Sequence, residues 1–168
     1  MGVRRLGPAL GSALFLLIAP GVAAGLVPWL LTGWESTDPP VWLAAMGCVL
    51  IVAGAAVLLH SFGRFVVEGH GTPAPVAPTE RLVVGGLYRH VRNPMYVAVT
   101  SAIAGQALLL GRPWLLAYAA AFWAVCAAFV RFYEEPTLTA RYGAEYEAYR
   151  QAVPGWRPRL RAWSPPPR

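Results

Sequence analysis

The sequence predicts an all-α integral membrane protein of about four transmembrane helices followed by a C-terminal amphipathic interfacial helix. Three observations predict it. Of the 168 residues, 57% are hydrophobic and only 13% charged, the balance of a chain whose solvent is largely lipid. Four runs, about Ala9 to Leu31, Val41 to Phe62, Met95 to Gly111 and Pro113 to Val130, contain no Arg, Lys, Asp or Glu, as a hydrocarbon interior requires. Beyond the last run, apolar residues recur at helical spacing opposite a charged face.

The first run has two readings. Arg4-Arg5, an apolar stretch and Val22-Ala23-Ala24 fit a secretory signal with a small-residue cleavage site. The run continues through Leu26, Val27, Trp29, Leu30 and Leu31, which favours a retained helix, bent near Pro20 with Pro28 a second position for a bend. The second run carries Ala44, Gly47, Cys48, Gly54, Ala55 and Ala56, small residues that let a neighbouring backbone approach closely. His60 near its end is either a satisfied interfacial histidine or a pocket-lining one. Together residues 1–63 are expected to form a scaffold pair, and residues 64–168 the region that carries chemistry.

Between the second and third runs, Gly69 to Pro78 holds three prolines and two glycines, which exclude a regular helix and favour extended backbone. It is a spacer, or a stiff strap over a ligand with His70 or Thr72 as hydrogen-bonding groups. Gly85-Gly86 allows a sharp turn before Leu87 and Tyr88. Pro94 then opens a helix, because its missing N–H costs nothing at the first helical position, and Asn93 before it is a good N-cap. The third and fourth runs are short. About 17 or 18 residues at ~1.5 Å each span about 26 Å against a hydrocarbon core of about 30 Å, so both stand steeply.

All fourteen basic residues are arginine, and they are placed unevenly. The first loop carries Glu35 and Asp38 without a basic residue, and the second short turn carries only Arg112. The other arginines flank the N-terminus, the central loop and the region after span four. By the positive-inside rule those segments are cytoplasmic. The net charge of +6 accordingly reflects topology and attraction to anionic lipid. Nucleic-acid binding is disfavoured, since the arginines flank spans instead of forming a soluble basic face. Cys48 and Cys126 fall inside apolar runs, where a thiol behaves as a small hydrophobe. The scattered His60, His70 and His90 make no metal spacing, so no metal is expected.

Two polar clusters remain, Gly86 to Tyr96 and Glu134-Glu135, separated by residues 97–133. A helical hairpin over that interval brings both to one membrane face. Adjacent carboxylates repel and lose hydration, and a charge at the bilayer centre costs about 2.5 to 3.5 kcal/mol, less near an interface. Two readings stand: a dedicated partner holds them, which the cost does not require, or both are solvated beside a Pro136-led helix whose N-terminal dipole accommodates acids. Thr137 to Ala152 then places Leu138, Tyr142, Tyr146 and Tyr149 on one face, followed by Val153, as in a helix lying along the interface with tyrosines at headgroup depth. The arginine- and proline-rich tail after Val153 is expected to be extended and lipid-facing.

From about Gly71 to Pro158 the chain resembles the isoprenylcysteine carboxyl methyltransferase and phospholipid methyltransferase group of integral membrane enzymes. The resemblance rests on Gly86-Leu87-Tyr88, Arg92-Asn93-Pro94-Met95-Tyr96, Glu134-Glu135, and then Leu138, Tyr142-Gly143, Tyr146, Tyr149 and Val153-Pro154 in the family's order. Asn93 stands where the eukaryotic carboxyl methyltransferases usually have histidine, so it cannot serve as a base. The resemblance implies an S-adenosylmethionine site with Leu87, Tyr88, Arg92, Asn93, Pro94, Tyr96, Glu134 and Glu135 as cofactor-binding residues. Glu135 and Arg131 are the catalytic candidates, Arg131 as the cation for a carboxylate acceptor or, equally, an ordinary cytoplasmic anchor. It implies a lipophilic or membrane-embedded acceptor, with a carboxylate, amine or thiol left open. If a base is needed, Glu134, Glu135 or His90 is available. The all-arginine complement points to a GC-rich bacterial source and its inner membrane, where prenylated protein substrates are generally lacking. An NADPH-dependent membrane reductase with a related C-terminal region, and a non-enzymatic membrane protein, are the alternatives. A dimer through small-residue faces is also conceivable.

Overall fold

The structure, a computed structural model, describes residues 18–64, 67 and 81–164. Arg4-Arg5, the first half of span one and the segment holding His70 and Thr72 lie outside the described residues. All regular structure among the described residues is helical. Helix α1 is Ile18–Thr32, α2 Val41–Arg64 and α3 Pro94–Leu109. Helix α4, Trp114–Phe129, runs on through a π turn at Val130–Glu134 into α5, Glu135–Tyr142, and α6 is Ala144–Ala152. A 3₁₀ turn, Gly86–Arg89, precedes α3. Two helices, Val41–Arg64 and the continuous Trp114–Tyr142, are long and apolar enough to cross a membrane, while Ile18–Thr32 and Pro94–Leu109 are shorter apolar helices.

Small residues decide how α2 meets α3. A Cβ on Gly47 would lie 2.5 Å from the carbonyl oxygen of Gly105, and one on Gly105 would lie 2.7 Å from that of Gly47. One stretch further along, a Cβ on Gly54 would lie 2.7 Å from the Ala98 carbonyl oxygen. Gly47, Gly54 and Ser61 recur every seven residues on the buried stripe of α2, so the backbones touch along a single seam. Much of the remaining α2 surface is apolar and exposed, including Val41, Val49 and Val52, as a lipid-facing helix demands. The α3–α4 hairpin closes through Gly111, whose φ of +64° suits glycine. There the Thr37 backbone N–H and hydroxyl both donate to the Leu110 carbonyl, at 3.0 and 3.2 Å, pinning the first loop to the hairpin turn.

The bend expected in α1 is a π turn at Val22–Leu26, two residues short of Pro28. Proline lacks the N–H that would serve Ala23 or Ala24. Two side chains replace it: Tyr118 donates to the Ala23 carbonyl at 2.8 Å, and Gln106 Nε2 to that of Ala24 at 2.7 Å. The amphipathic segment expected over residues 137–152 is split at Gly143, with φ +53° and ψ −125°, a conformation natural only to glycine. Two of its tyrosines are core residues. Tyr146, Tyr149 and Val153 are buried against Leu82, Val84 and Trp163, because the chain beyond Val153 folds back over them, with Leu160 left 99% exposed.

Candidate functional site

The two polar clusters meet at the end of the hairpin remote from Thr37. Tyr96 stands on the first turn of α3, and Arg92 on the segment just before its N-cap, Asn93. Opposite them the π turn puts one extra residue into the helix between α4 and α5, and Pro136 again follows two residues later. Adjacent residues of an α-helix point about 100° apart. With the local unwinding, Glu134 engages α3 and Glu135 the segment before it: Tyr96 donates to Glu134 Oε1 at 2.6 Å, and Arg92 Nη1 to Glu135 Oε1 at 2.9 Å.

Glu135 is the hub. Its side chain is 12% exposed, with Arg131 Nη1 and Arg150 Nη1 at 3.8 and 3.7 Å from Oε2. Arg92 is 14% exposed and also donates from Nη1 to the Tyr146 hydroxyl at 3.1 Å. Arg131, by contrast, is 70% exposed and reaches the site only through this long contact. Tyr146 and Tyr149 were not singled out as site residues from sequence. Tyr149 donates to the Tyr88 carbonyl at 2.7 Å, tying α6 to the 3₁₀ turn. Burial pushes the phenols of Tyr88, Tyr146 and Tyr149 up, the last two against an opposing pull from the Arg92 charge, so all three stay protonated donors at neutral pH.

The chain after Val153 completes the site. Arg92 and Asn93 donate their backbone N–H groups to the carbonyls of Pro154 and Gly155, at 3.0 and 3.2 Å. Further on, the Arg159 N–H bonds the His90 carbonyl at 2.9 Å and that of Trp163 bonds Arg89 at 3.0 Å. His90 Nδ1 lies 2.8 Å from the Arg159 carbonyl. A carbonyl only accepts, so Nδ1 carries the proton. The sequence signal for this segment was Val153-Pro154-Gly155-Trp156, a rigid turn ending on an aromatic ring, which composition alone assigns to lipid.

Asn93 occupies the N-cap position of α3 as expected, but its side chain makes no cap hydrogen bond. Its Nδ2 is buried without an acceptor among the described residues, as is Arg92 Nε. Both side chains border Gly155: a Cβ there would stand 3.2 Å from Arg92 Nη2 and 3.5 Å from Asn93 Nδ2. Buried donors left unsatisfied cost about 1 to 3 kcal/mol each. Of the sequence-expected set, Arg92, Asn93, Pro94, Tyr96, Glu134 and Glu135 converge. Tyr88 is turned into the protein, buried against α2 with Ser61 as its side-chain partner. Leu87 caps the turn, its carbonyl accepting from His90 at 2.9 Å and Val91 at 3.1 Å.

A family model described as phospholipid methyltransferase matches residues 42–145, more than half of the chain. No curated protein matches it.

Proposed function

The chain belongs to the phospholipid methyltransferase family and is thus a methyltransferase for a membrane-associated substrate; from that premise we propose that it uses S-adenosylmethionine to methylate a lipophilic small molecule. One observation supports this reading above the rest. Two buried donors without an acceptor among the described residues, Arg92 Nε and Asn93 Nδ2, belong to the two side chains that border Gly155, on the same end of the hairpin as two carboxylates held by Tyr96 and Arg92.

When bound, S-adenosylmethionine supplies a methyl carbon activated by a sulfonium and a neutral thioether leaving group. Arg92 Nε and Asn93 Nδ2 hold its α-carboxylate, with the backbone N–H of Leu87 and the start of α3 at Pro94 contributing positive potential. Glu134 carries one hydrogen bond and takes the α-amino group or ribose hydroxyls. Glu135, occupied by three arginines, keeps Arg92 in place. The Tyr96 ring faces the adenine or the sulfonium, a cation–π contact worth about 0.5 to 2 kcal/mol. Tyr88 walls the pocket from α2. Alignment of donor and acceptor is then the main task, and orientation alone can lower such a barrier by roughly 7 to 11 kcal/mol.

The acceptor decides what else is needed. A carboxylate is already ionised near neutral pH and needs a cation, which the mostly exposed Arg131 supplies. An amine must lose a proton, for which Glu134 is the carboxylate with fewest partners, and His90 the imidazole. We place the site and both termini on the cytoplasmic side of a bacterial inner membrane, with residues 1–63 as scaffold and 64–168 as the catalytic region, because the arginines gather at that end. The acceptor arrives from the bilayer.

Calorimetric titration of the purified protein with S-adenosylhomocysteine tests the reading, with NADPH as the contrasting ligand. Micromolar binding of the first alone, weakened at least about tenfold (1.4 kcal/mol) in a folded Glu134→Gln variant, is expected. NADPH binding without S-adenosylhomocysteine binding overturns it.

A further inference from the structure

Between the lipid-facing surface of α4 and the buried Glu134 carboxylate runs an unbroken row of aromatic rings. Trp123 on α4 is 43% exposed. Its ring meets that of Trp156 edge-on, centroids 5.6 Å apart and planes at 68°. Trp156 in turn lies 6.3 Å from the Tyr96 ring, tilted by 37°, and the Tyr96 hydroxyl rests on Glu134 at 2.6 Å. The row starts on the outward face of α4 and ends at Glu134. Membrane anchoring accounts for Trp123, which is an ordinary lipid-facing indole. It does not account for Trp156, which is half-buried between two rings and carried by the segment after α6.

That segment leaves little freedom for Trp156 to move. Its neighbour Gly155 accepts from Asn93 N–H at 3.2 Å, Pro154 accepts from Arg92 at 3.0 Å, and beyond it Arg159 N–H is fixed to His90 at 2.9 Å. The indole is therefore held at a set distance from Tyr96 by backbone on both sides. Aromatic pairs at these separations add about 0.5 to 1.5 kcal/mol beyond their area, which keeps the row closed around a thin occupant.

We infer that Trp156, with Trp123, forms the wall along which the lipophilic acceptor enters, and that the indole of Trp156 sets the acceptor width admitted to Tyr96 and Glu134. The inference rests on the methyltransferase reading above. Trp156 is a specificity residue in this account, outside the cofactor contacts, so its removal changes which acceptors react and leaves cofactor affinity alone. A hydrophobic wall that gains or loses a methylene discriminates by about 10- to 200-fold, so removing a whole indole reaches at least the lower figure.

The test uses the full chain in nanodiscs. Fluorescence of the parent, Trp156→Phe and Trp163→Phe proteins is compared in phosphatidylcholine with and without brominated acyl chains, and S-adenosylhomocysteine is titrated into each and into Trp156→Ala. The emission lost on replacing Trp156 is expected to be quenched by the brominated chains. That lost on replacing Trp163, which packs 5.4 Å from Tyr149 inside the protein, is not. Cofactor-product affinity is expected to stay within twofold in all variants. Methyl transfer from radiolabelled S-adenosylmethionine is then measured to dodecyl acids, amines and thiols and to their ring-substituted counterparts. Trp156→Ala raises the kcat/KM ratio of bulky to slender acceptor at least about tenfold.

Failure of quenching at Trp156 overturns the inference while the methyltransferase reading stands, and so does an unchanged ratio. Loss of S-adenosylhomocysteine affinity in Trp156→Ala but not Trp156→Phe makes the indole a cofactor wall and equally overturns it. No S-adenosylhomocysteine binding by the parent protein sinks the underlying reading instead. Should no panel acceptor be methylated, the quenching result decides alone.

Discussion

Gly155 shows how much a missing side chain can matter. Its bare Cα leaves room beside Arg92 Nη2 and Asn93 Nδ2, and Asn93 Nδ2 has no acceptor among the described residues. Gly155→Ala inserts a methyl 3.2 Å from Arg92 Nη2, so S-adenosylhomocysteine affinity should fall about tenfold, or 1.4 kcal/mol, with helix content by circular dichroism unchanged. Tyr96→Phe removes the donor to a largely buried carboxylate. An unsatisfied acceptor of that kind costs about 1 to 3 kcal/mol, readable as a lower midpoint in denaturing-detergent titration. The tyrosines also set an alkaline limit. Burial raises the Tyr149 phenol, and the Arg92 charge only partly opposes it. A group raised on folding adds stability below its ordinary value of about 10 and loses it as pH climbs toward the folded value. Thermal midpoints should therefore drop above pH of about 10, and the drop should be shallower in Tyr149→Phe even though that variant starts lower for want of its hydrogen bond to Tyr88.

Two helices bend by the same device. In each, a π turn is followed two residues later by a proline, Pro28 after Val22–Leu26 and Pro136 after Val130–Glu134. The first bend strands carbonyls that Gln106 and Tyr118 serve; the second brings Glu134 to Tyr96 on α3 and Glu135 to Arg92 just before it. Restoring the missing donor should make its substitute redundant. Gln106→Leu should cost about 0.6 kcal/mol, the usual worth of such a bond in a membrane, and should cost less in a Pro28→Ala background, a coupling that a double-mutant cycle measures. Pro28 was legible as one of two positions for a bend and Pro136 only as the start of a helix; the extra residue of each π turn was not legible, since it depends on which neighbouring side chains can satisfy the freed carbonyls. The same holds for Gly143. A seven-residue seam of glycine and serine on α2 was partly legible: Gly47 and Gly54 meet α3, whereas Cys48 is exposed.

At the scale of the molecule, the loop after α1 and the α3–α4 turn are bonded together at one end through Thr37, and the arginine-rich segments gather at the other. With Cys48 and Cys126 replaced by Ala, a cysteine at Ser36 should react with a membrane-impermeant maleimide on intact cells, and one at Ala144 should react only after lysis; the reverse pattern would invert the proposed orientation. The sequence by itself determined the all-helical membrane class, the hairpin and the meeting of its two polar ends, because lipid forces apolar runs into helices and charges to their ends. Only the tertiary structure decided what those ends touch. Arg92 chooses Glu135, Tyr96 chooses Glu134, and the tail returns to bond its Pro154 and Gly155 carbonyls to the Arg92 and Asn93 N–H groups. The physical reason is that apolarity along a chain fixes which segments leave water, whereas hydrogen-bond partners distant in sequence are fixed by which buried donors and acceptors remain once the helices have packed.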